Sequence, residues 1–314
     1  MKLLDNFLLY MKGNAASDTT ISNYQHGLEY FFKYMSVNTD DNILTITQKN
    51  VVDYLQYVIN EKHLEPSTRN TYLTAIKAMY LYLKSVVKVN IDNDILDIPY
   101  IDTPIKQAIF LDDVEAELLL KTVTDVRSRA IIGLLLKTGI RISELVNIKL
   151  TDMEKDIDEL GYHYYIIKIH GKGNKERYIY TNYELATWID KYMGKRRNMA
   201  LAKNQDFKEY LFLSNNGYQM DVSNLRKMTK YWARQINFKY ADKFSPHKLR
   251  HTYATLMLAA EEYIEDENGE RKSMGKRFDI KTVSESMGHA NLQTTNRYAH
   301  TTEKRISAMQ RKGW

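Results

Sequence analysis

Cysteine is absent from the 314 residues, which excludes disulfides and thiolate metal sites and leaves the redox compartment unread from that source. Long apolar runs are missing as well. The longest, AIIGLLL at residues 130–136, falls far short of the ~20 residues a membrane-spanning helix needs. The opening MKLLDNFLLYMKG carries Asp5 and lacks a small-residue cleavage site. It reads as an amphipathic helix, not a signal peptide, and an intracellular, cytoplasmic soluble protein is expected. Clustered carboxylates of the kind that build a two-metal site are also lacking near the motifs described below, so neither a metal nor another cofactor is expected.

What charge there is, is unevenly spread. The formal net charge is +6, yet residues 1–106 hold ten Lys and Arg against twelve Asp and Glu, a net of −2 that leaves +8 for the remainder. A basic second part suits a polyanion, either a nucleic acid or an anionic surface, although a solvated basic face gives the same balance. The length suits two domains. In the first ~90 residues, Tyr24, Leu28, Phe31, Phe32 and Met35 form one stripe at helical period, and residues 46–60 and 65–84 repeat the pattern. With the opening helix that predicts four short helices. Residues 91–106 are acidic, contain two of the four prolines and show no sustained period, so they read as a linker. Helix returns after residue 107. YHYYIIKI at residues 162–169 and ERYIYT at residues 176–181 flank a HGKGNK turn, which predicts a small antiparallel sheet within a mainly α second domain.

Four motifs of the second domain carry chemistry. SPHKLRHTYATLML, residues 245–258, starts a helix at Ser245-Pro246 and brings His247, Arg250 and His251 onto one turn. Such a cluster repels itself unless something negative lies against it. KTGIRISEL places Arg141, GKGNKER places Lys172 at a hairpin tip, and MGHANLQTTNRYAH places His289 and, nine positions on, Tyr298. Singly, each has a plain structural reading: Arg141 as an ion pair with Glu144, Lys172 as turn chemistry, the histidines as helix caps, Tyr298 as packing. Together they form a set for phosphoryl transfer. Two arginines can brace phosphate oxygens with bidentate bonds, the histidines can donate or accept protons, a lysine can reach a leaving oxygen, and a tyrosine hydroxyl can attack phosphorus.

The ordered series TGIRISEL, GKGNKER, HKLRH, MGH and TNRYAH resembles the tyrosine recombinase (phage integrase) family, in style its Xer-like members, and the N-terminal helices resemble that family's core-binding module. The resemblance implies a helical SAM-like DNA-binding domain at 1–90, a linker at 91–106 and a catalytic domain at 107–314 with a tail at 299–314, the two domains clamping duplex DNA. It implies that Arg141, Lys172, His247, Arg250 and His289 surround a scissile phosphate and that Tyr298 attacks it, forming a 3′-phosphotyrosyl link. His251 would support the fold. Arg69, Lys77, Lys175, Lys227 and Lys230 are the candidate DNA contacts. Double-stranded DNA is the expected partner, bound as a homo-tetramer by a protein that is a monomer or weak dimer when free; no membrane and no small-molecule cofactor are expected. The use implied is site-specific recombination or integration, as of a mobile element; integration, excision and resolution, and a chromosomal, phage or transposon origin, stay open in the sequence. A relaxing enzyme of the type IB topoisomerase kind and a silent DNA-binding regulator are the alternatives, and the intact set of six residues argues against the regulator. One departure is the spacing from Arg250 to His289, lengthened by residues 261–277 with Asn268-Gly269 as a turn signal; a solvated hairpin and a contact with a partner protomer both fit it.

Overall fold

The amphipathic stripes near the N-terminus become helices in the structure, a computed structural model that describes residues 1–92, 94–104, 108–171, 176–265, 271–276 and 279–287. The chain divides into two compact units, Met1–Lys106 and Gln107–Trp314.

The first unit comprises α1 (Lys2–Gly13), α2 (Asp18–Tyr34), α3 (Asp40–Leu44), α4 (Gln48–Asn60), α5 (Pro66–Tyr82) and α6 (Asp94–Asp97). Side chains that satisfy orphaned amides set several helix starts. Ser17 Oγ accepts from the Thr20 amide at 3.2 Å, and Thr47 forms a capping box with Asn50. Pro66 occupies the first turn of α5, where its missing N–H would have had no helical partner. Gly27 lets α2 approach α5, since a Cβ there would lie 3.2 Å from the Tyr72 ring. Leu28, Phe31, Leu55, Ile76 and Met79 fill the core, and buried Tyr80 ties α3 to it by donating its hydroxyl to the Ile43 carbonyl at 2.8 Å. The stretch expected to be a linker from residue 91 is partly packed: Ile91, Ile95 and Ile98 are buried in the same core. Only Ile95 of the three lies in a helix, α6, so no sustained period marks them in the sequence, and acidic residues surround them.

The second unit runs through α7 (Asp113–Thr122), α8 (Val126–Thr138), α9 (Ile142–Val146), β1 (Met153–Ile157), β2 (His163–His170) and β3 (Glu176–Tyr180). It continues through α10 (Tyr183–Lys191), α11 (Asn198–Leu201), α12 (Val222–Gln235), α13 (Pro246–Ala259), β4 (Glu261–Glu265), β5 (Arg271–Lys276) and α14 (Ile280–Met287). The AIIGLLL run is the middle of α8 and is buried all round, the place for a helix with no polar face. Burying each of its larger side chains contributes about 1.5–3 kcal/mol. Gly133 in that run leaves room for α10, because a Cβ would lie 2.9 Å from Leu185 and Trp188.

The sheet is antiparallel in the order β1-β2-β3, with Ile167 opposite Ile179. Tyr165, Ile167 and Ile169 of β2 alternate inward, the period-2 pattern of a half-buried strand. The mainly helical fold with a small antiparallel sheet is therefore the expected one, with β1 as an added strand. The sequence MEKDI of β1 is almost wholly exposed and carries no alternation to reveal it. Between α13 and α14, β4 pairs with β5; the Asn268-Gly269 turn predicted between them lies outside the described residues. Thr252 of α13 accepts from the Leu111 amide at 3.0 Å and donates to the Lys248 carbonyl at 2.9 Å, latching the start of the unit to that helix.

Gly139 closes α8 in the left-handed region with φ +61°, and a Cβ there would overlap the Tyr253 ring. Gly139→Ala is expected to cost roughly 2–4 kcal/mol, from left-handed strain plus overpacking. Urea unfolding checks this: an unchanged midpoint would mean the corner yields without cost.

Candidate active site

The corner between α8 and α9 meets the first turns of α13. Arg250 on α13 is 2 % exposed, and its guanidinium donates to the carbonyl of Gly139 and, at 2.7 Å, to that of Met287. Both acceptors are C-terminal helix carbonyls, one capping α8 and the other ending α14. Such carbonyls carry the negative end of the helix dipole, so two helices present partial negative charge to one buried cation. Tyr253, one turn further along α13, packs its ring against Gly139 and meets Ser286 of α14 at 3.2 Å. Tyr253, Leu258, Val283 and Met287 form the apolar cluster beneath.

Arg141 stands at the N-cap of α9 in extended backbone, two residues beyond the carbonyl that Arg250 holds. Burial of the His247 ring and, after it, the charges of Arg250, Lys248 and Arg141 hold the His247 pKa below the ordinary imidazole range. By its accessible surface the residue is nonetheless exposed, so solvent reaches the imidazole. The ring of His251 stands edge-on to that of His247, with centroids 4.4 Å apart. Lys248 is also shifted down by burial. Thus three cations from two elements act on the His247 imidazole at the start of α13, a field that favours an anion.

Glu144, three residues after Arg141, is the carboxylate of this region. Arg141 donates to it from its backbone amide at 2.9 Å and from Nη1 at 2.8 Å. From β3, Arg177 grips it with both terminal nitrogens, at 3.0 and 2.7 Å. Burial pushes the Glu144 carboxyl up, but the bonds from Arg177 and Arg141 outweigh it and hold the pKa below the usual carboxylate value. Removing one partner of such a buried pair costs about 3–5 kcal/mol.

The structure thus brings Arg141, His247 and Arg250 together. Lys172, Lys175, His289 and Tyr298 lie outside the described residues; the described chain reaches Gly171 and Glu176 on either side of the two lysines, and Met287 two residues before His289. Of the candidate DNA contacts, Arg69 is 8 % exposed and donates to the Pro99 carbonyl at 2.9 Å, so it serves the interior of the first unit. Lys77 lies over the Tyr100 ring at 5.0 Å. Lys227 is exposed and Lys230 half-exposed on α12. Glu144 and Arg177 went unassigned as site residues in the sequence. Their only signal was adjacency to motif residues, because the 33 positions between them hide the pairing.

Residues 110–264 match the phage integrase family, and residues 4–86 match the phage integrase N-terminal SAM-like domain. The chain belongs to the phage integrase family of tyrosine recombinases. Among its curated relatives are tyrosine recombinase XerC of Caldanaerobacter subterraneus subsp. tengcongensis, 28% identical over 97% of this chain and 84% of that protein, and tyrosine recombinase XerD of Listeria monocytogenes, 29% identical over 96% and 93%. Solved structures share the tyrosine recombinase fold. The XerH site-specific recombinase bound to palindromic difH substrate gives a TM-score of 0.70 at 22% identity, covering 95% of this chain and 81% of that one. A lambda integrase dimer bound to a COC′ core site gives 0.66 at 14% identity, covering 95% and 94%.

In this recombinase the lowered His247 pKa has a consequence for stability. The unfolded imidazole holds its proton up to about pH 6.5, whereas the folded one releases it at lower pH. Between those values the unfolded state binds more protons, so stability falls as pH drops from 6.5 towards the folded pKa. His247→Asn should flatten that acid slope, measured as melting temperatures from pH 7.5 to 5. A slope identical to the parent's would place the titrating group elsewhere.

Proposed function

We propose that this recombinase cuts and rejoins DNA at specific sites through a 3′-phosphotyrosyl intermediate, with Arg141, Lys172, His247, Arg250, His289 and Tyr298 as its active residues. The observation that carries the reading is the convergence of Arg141, Arg250 and His247 from the α8–α9 corner and α13. Two guanidinium groups and an imidazole suit the non-bridging oxygens of a phosphodiester, on which charge builds as a fifth oxygen approaches phosphorus. The Tyr298 hydroxyl oxygen attacks, the bond from phosphorus to the 5′-oxygen breaks, and Lys172 protonates that oxygen as it leaves. His247, held neutral, accepts the tyrosine proton or donates to the phosphate. The phosphotyrosyl ester preserves the bond's free energy, so a 5′-hydroxyl can attack it and reseal a strand without a nucleotide cofactor. His251 braces His247.

The partner is double-stranded DNA, as it is for the XerH and lambda integrase chains of the solved complexes. Exchange between two sites needs two cuts at each, hence four protomers on DNA. Lys227 and Lys230 supply backbone contacts from α12.

Tyr298→Phe should bind duplex normally and form no covalent adduct, since only the attacking oxygen is lost. Nicked duplexes tiled across the DNA flanking the gene, run on a denaturing gel, test this. An adduct surviving in the variant would move the nucleophile elsewhere.

Neutralising Lys227 and Lys230 together to Gln should lower affinity and reduce the slope of log affinity against log salt by about 2, one for each phosphate no longer neutralised. Titrations of a flanking-DNA duplex at 50–200 mM salt measure it. An unchanged slope would remove α12 from the DNA interface.

A further inference from the structure

We infer that Arg177 is a positioning residue for strand cleavage, acting through Glu144 on Arg141; the inference rests on the active-site reading above. Three groups form an Arg–Glu–Arg unit. The Glu144 side chain is 5 % exposed, Arg177 15 % and Arg141 38 %. Burial is thus graded, and the two cations are unequal. Arg177 meets the carboxylate as a two-pronged fork, one nitrogen to each oxygen. Arg141 uses one terminal nitrogen and its backbone amide. A carboxylate offers roughly four acceptor positions, and these four bonds fill them.

The arrangement divides the labour of the two arginines. The buried fork neutralises Glu144, so the unit keeps a net single positive charge, and that charge sits at its most exposed member. Arg141 is oriented by the carboxylate without being cancelled by it. Removing Arg177 leaves a buried carboxylate whose nearest remaining cation is Arg141, and the pair collapses to neutrality. The guanidinium that should face a phosphate would then be drawn onto Glu144.

Arg177 has a second reach. It lies on β3 opposite Ile169 of β2, next to the end of the strand pair between whose sequence ends Lys172 lies, while Glu144 belongs to α9. The same two bonds therefore fix that end of the strand pair to the helix that begins at Arg141, setting the spacing between the bearer of the phosphate clamp and the strands that flank the proposed acid in sequence.

The test compares Arg177→Met, Arg177→Lys and the double variant Arg177→Met/Glu144→Gln, at a temperature where circular dichroism shows each folded. Adducts with the tiled nicked duplexes give the cleavage rate, and duplex titration gives affinity. Arg177→Met should cleave about 100-fold more slowly, the scale of a small misplacement in a preorganised site, with affinity within about twofold. Arg177→Lys, which keeps the charge and loses the fork, should fall between. The double variant should regain about tenfold, a coupling of ordinary size for contacting groups, because the uncompensated carboxylate is gone. A purely structural role predicts no such rescue of rate among folded variants. Cleavage by Arg177→Met at the parent rate, or a double variant no faster than Arg177→Met, would overturn the inference. Absence of any parental adduct would refute the catalytic reading alone. The clamp is then judged by melting temperature: a double variant melting above Arg177→Met supports it, and one melting no higher sinks it.

Discussion

The second unit's site depends on where the Arg250 guanidinium is spent. Burying such a cation is costly unless its N–H groups are satisfied, and here the terminal carbonyls of α8 and α14 receive them. At the C-cap of α8 such a carbonyl would otherwise be left over by helix geometry. The arginine satisfies it, and both carbonyls satisfy the arginine. As a result the end of α8, the start of α13 and the end of α14 cannot drift independently. Arg141 begins two residues after one acceptor, and His289 follows two residues after the other.

Electrostatics around this knot gathers positive charge at the start of α13. His247 is kept neutral by partial burial and by its cationic neighbours. Glu144, the carboxylate closest in sequence to Arg141, is already gripped by a deeper arginine. The bland and the functional readings of Arg141 are therefore not rivals. It forms the ion pair with Glu144 that its spacing suggests, and that pair is what aims it.

Much of this was legible before any coordinates. Local periodicity revealed α2, α4 and α5, and alternation revealed β2 and β3, because each buries one face and records it in its residue order. The motif residues were legible through their types and order. Three things stayed hidden for physical reasons. Ile91, Ile95 and Ile98 belong to a core, but acidic residues for the exposed side surround them and mimic a linker. β1 is an edge strand with little to bury. Arg177 and Glu144 pair across 33 positions, and no local pattern encodes a partner that only the fold brings near. Arg69 is legible only in part: a basic residue early in a helix does not record its own burial.

The bond from the Leu111 amide to Thr252 has a bearing on how the chain is made. The first unit is complete by about residue 106 and draws on contacts within that span, so it can fold while the rest is still being synthesised. The second unit cannot close until α13 has left the ribosome, some 140 residues after the segment it must latch. Domains emerging from the ribosome generally fold as units, N-terminal first. During that interval the apolar run in the middle of α8 waits without its partner helix. The second unit is therefore the part of this recombinase that keeps apolar surface open longer during synthesis.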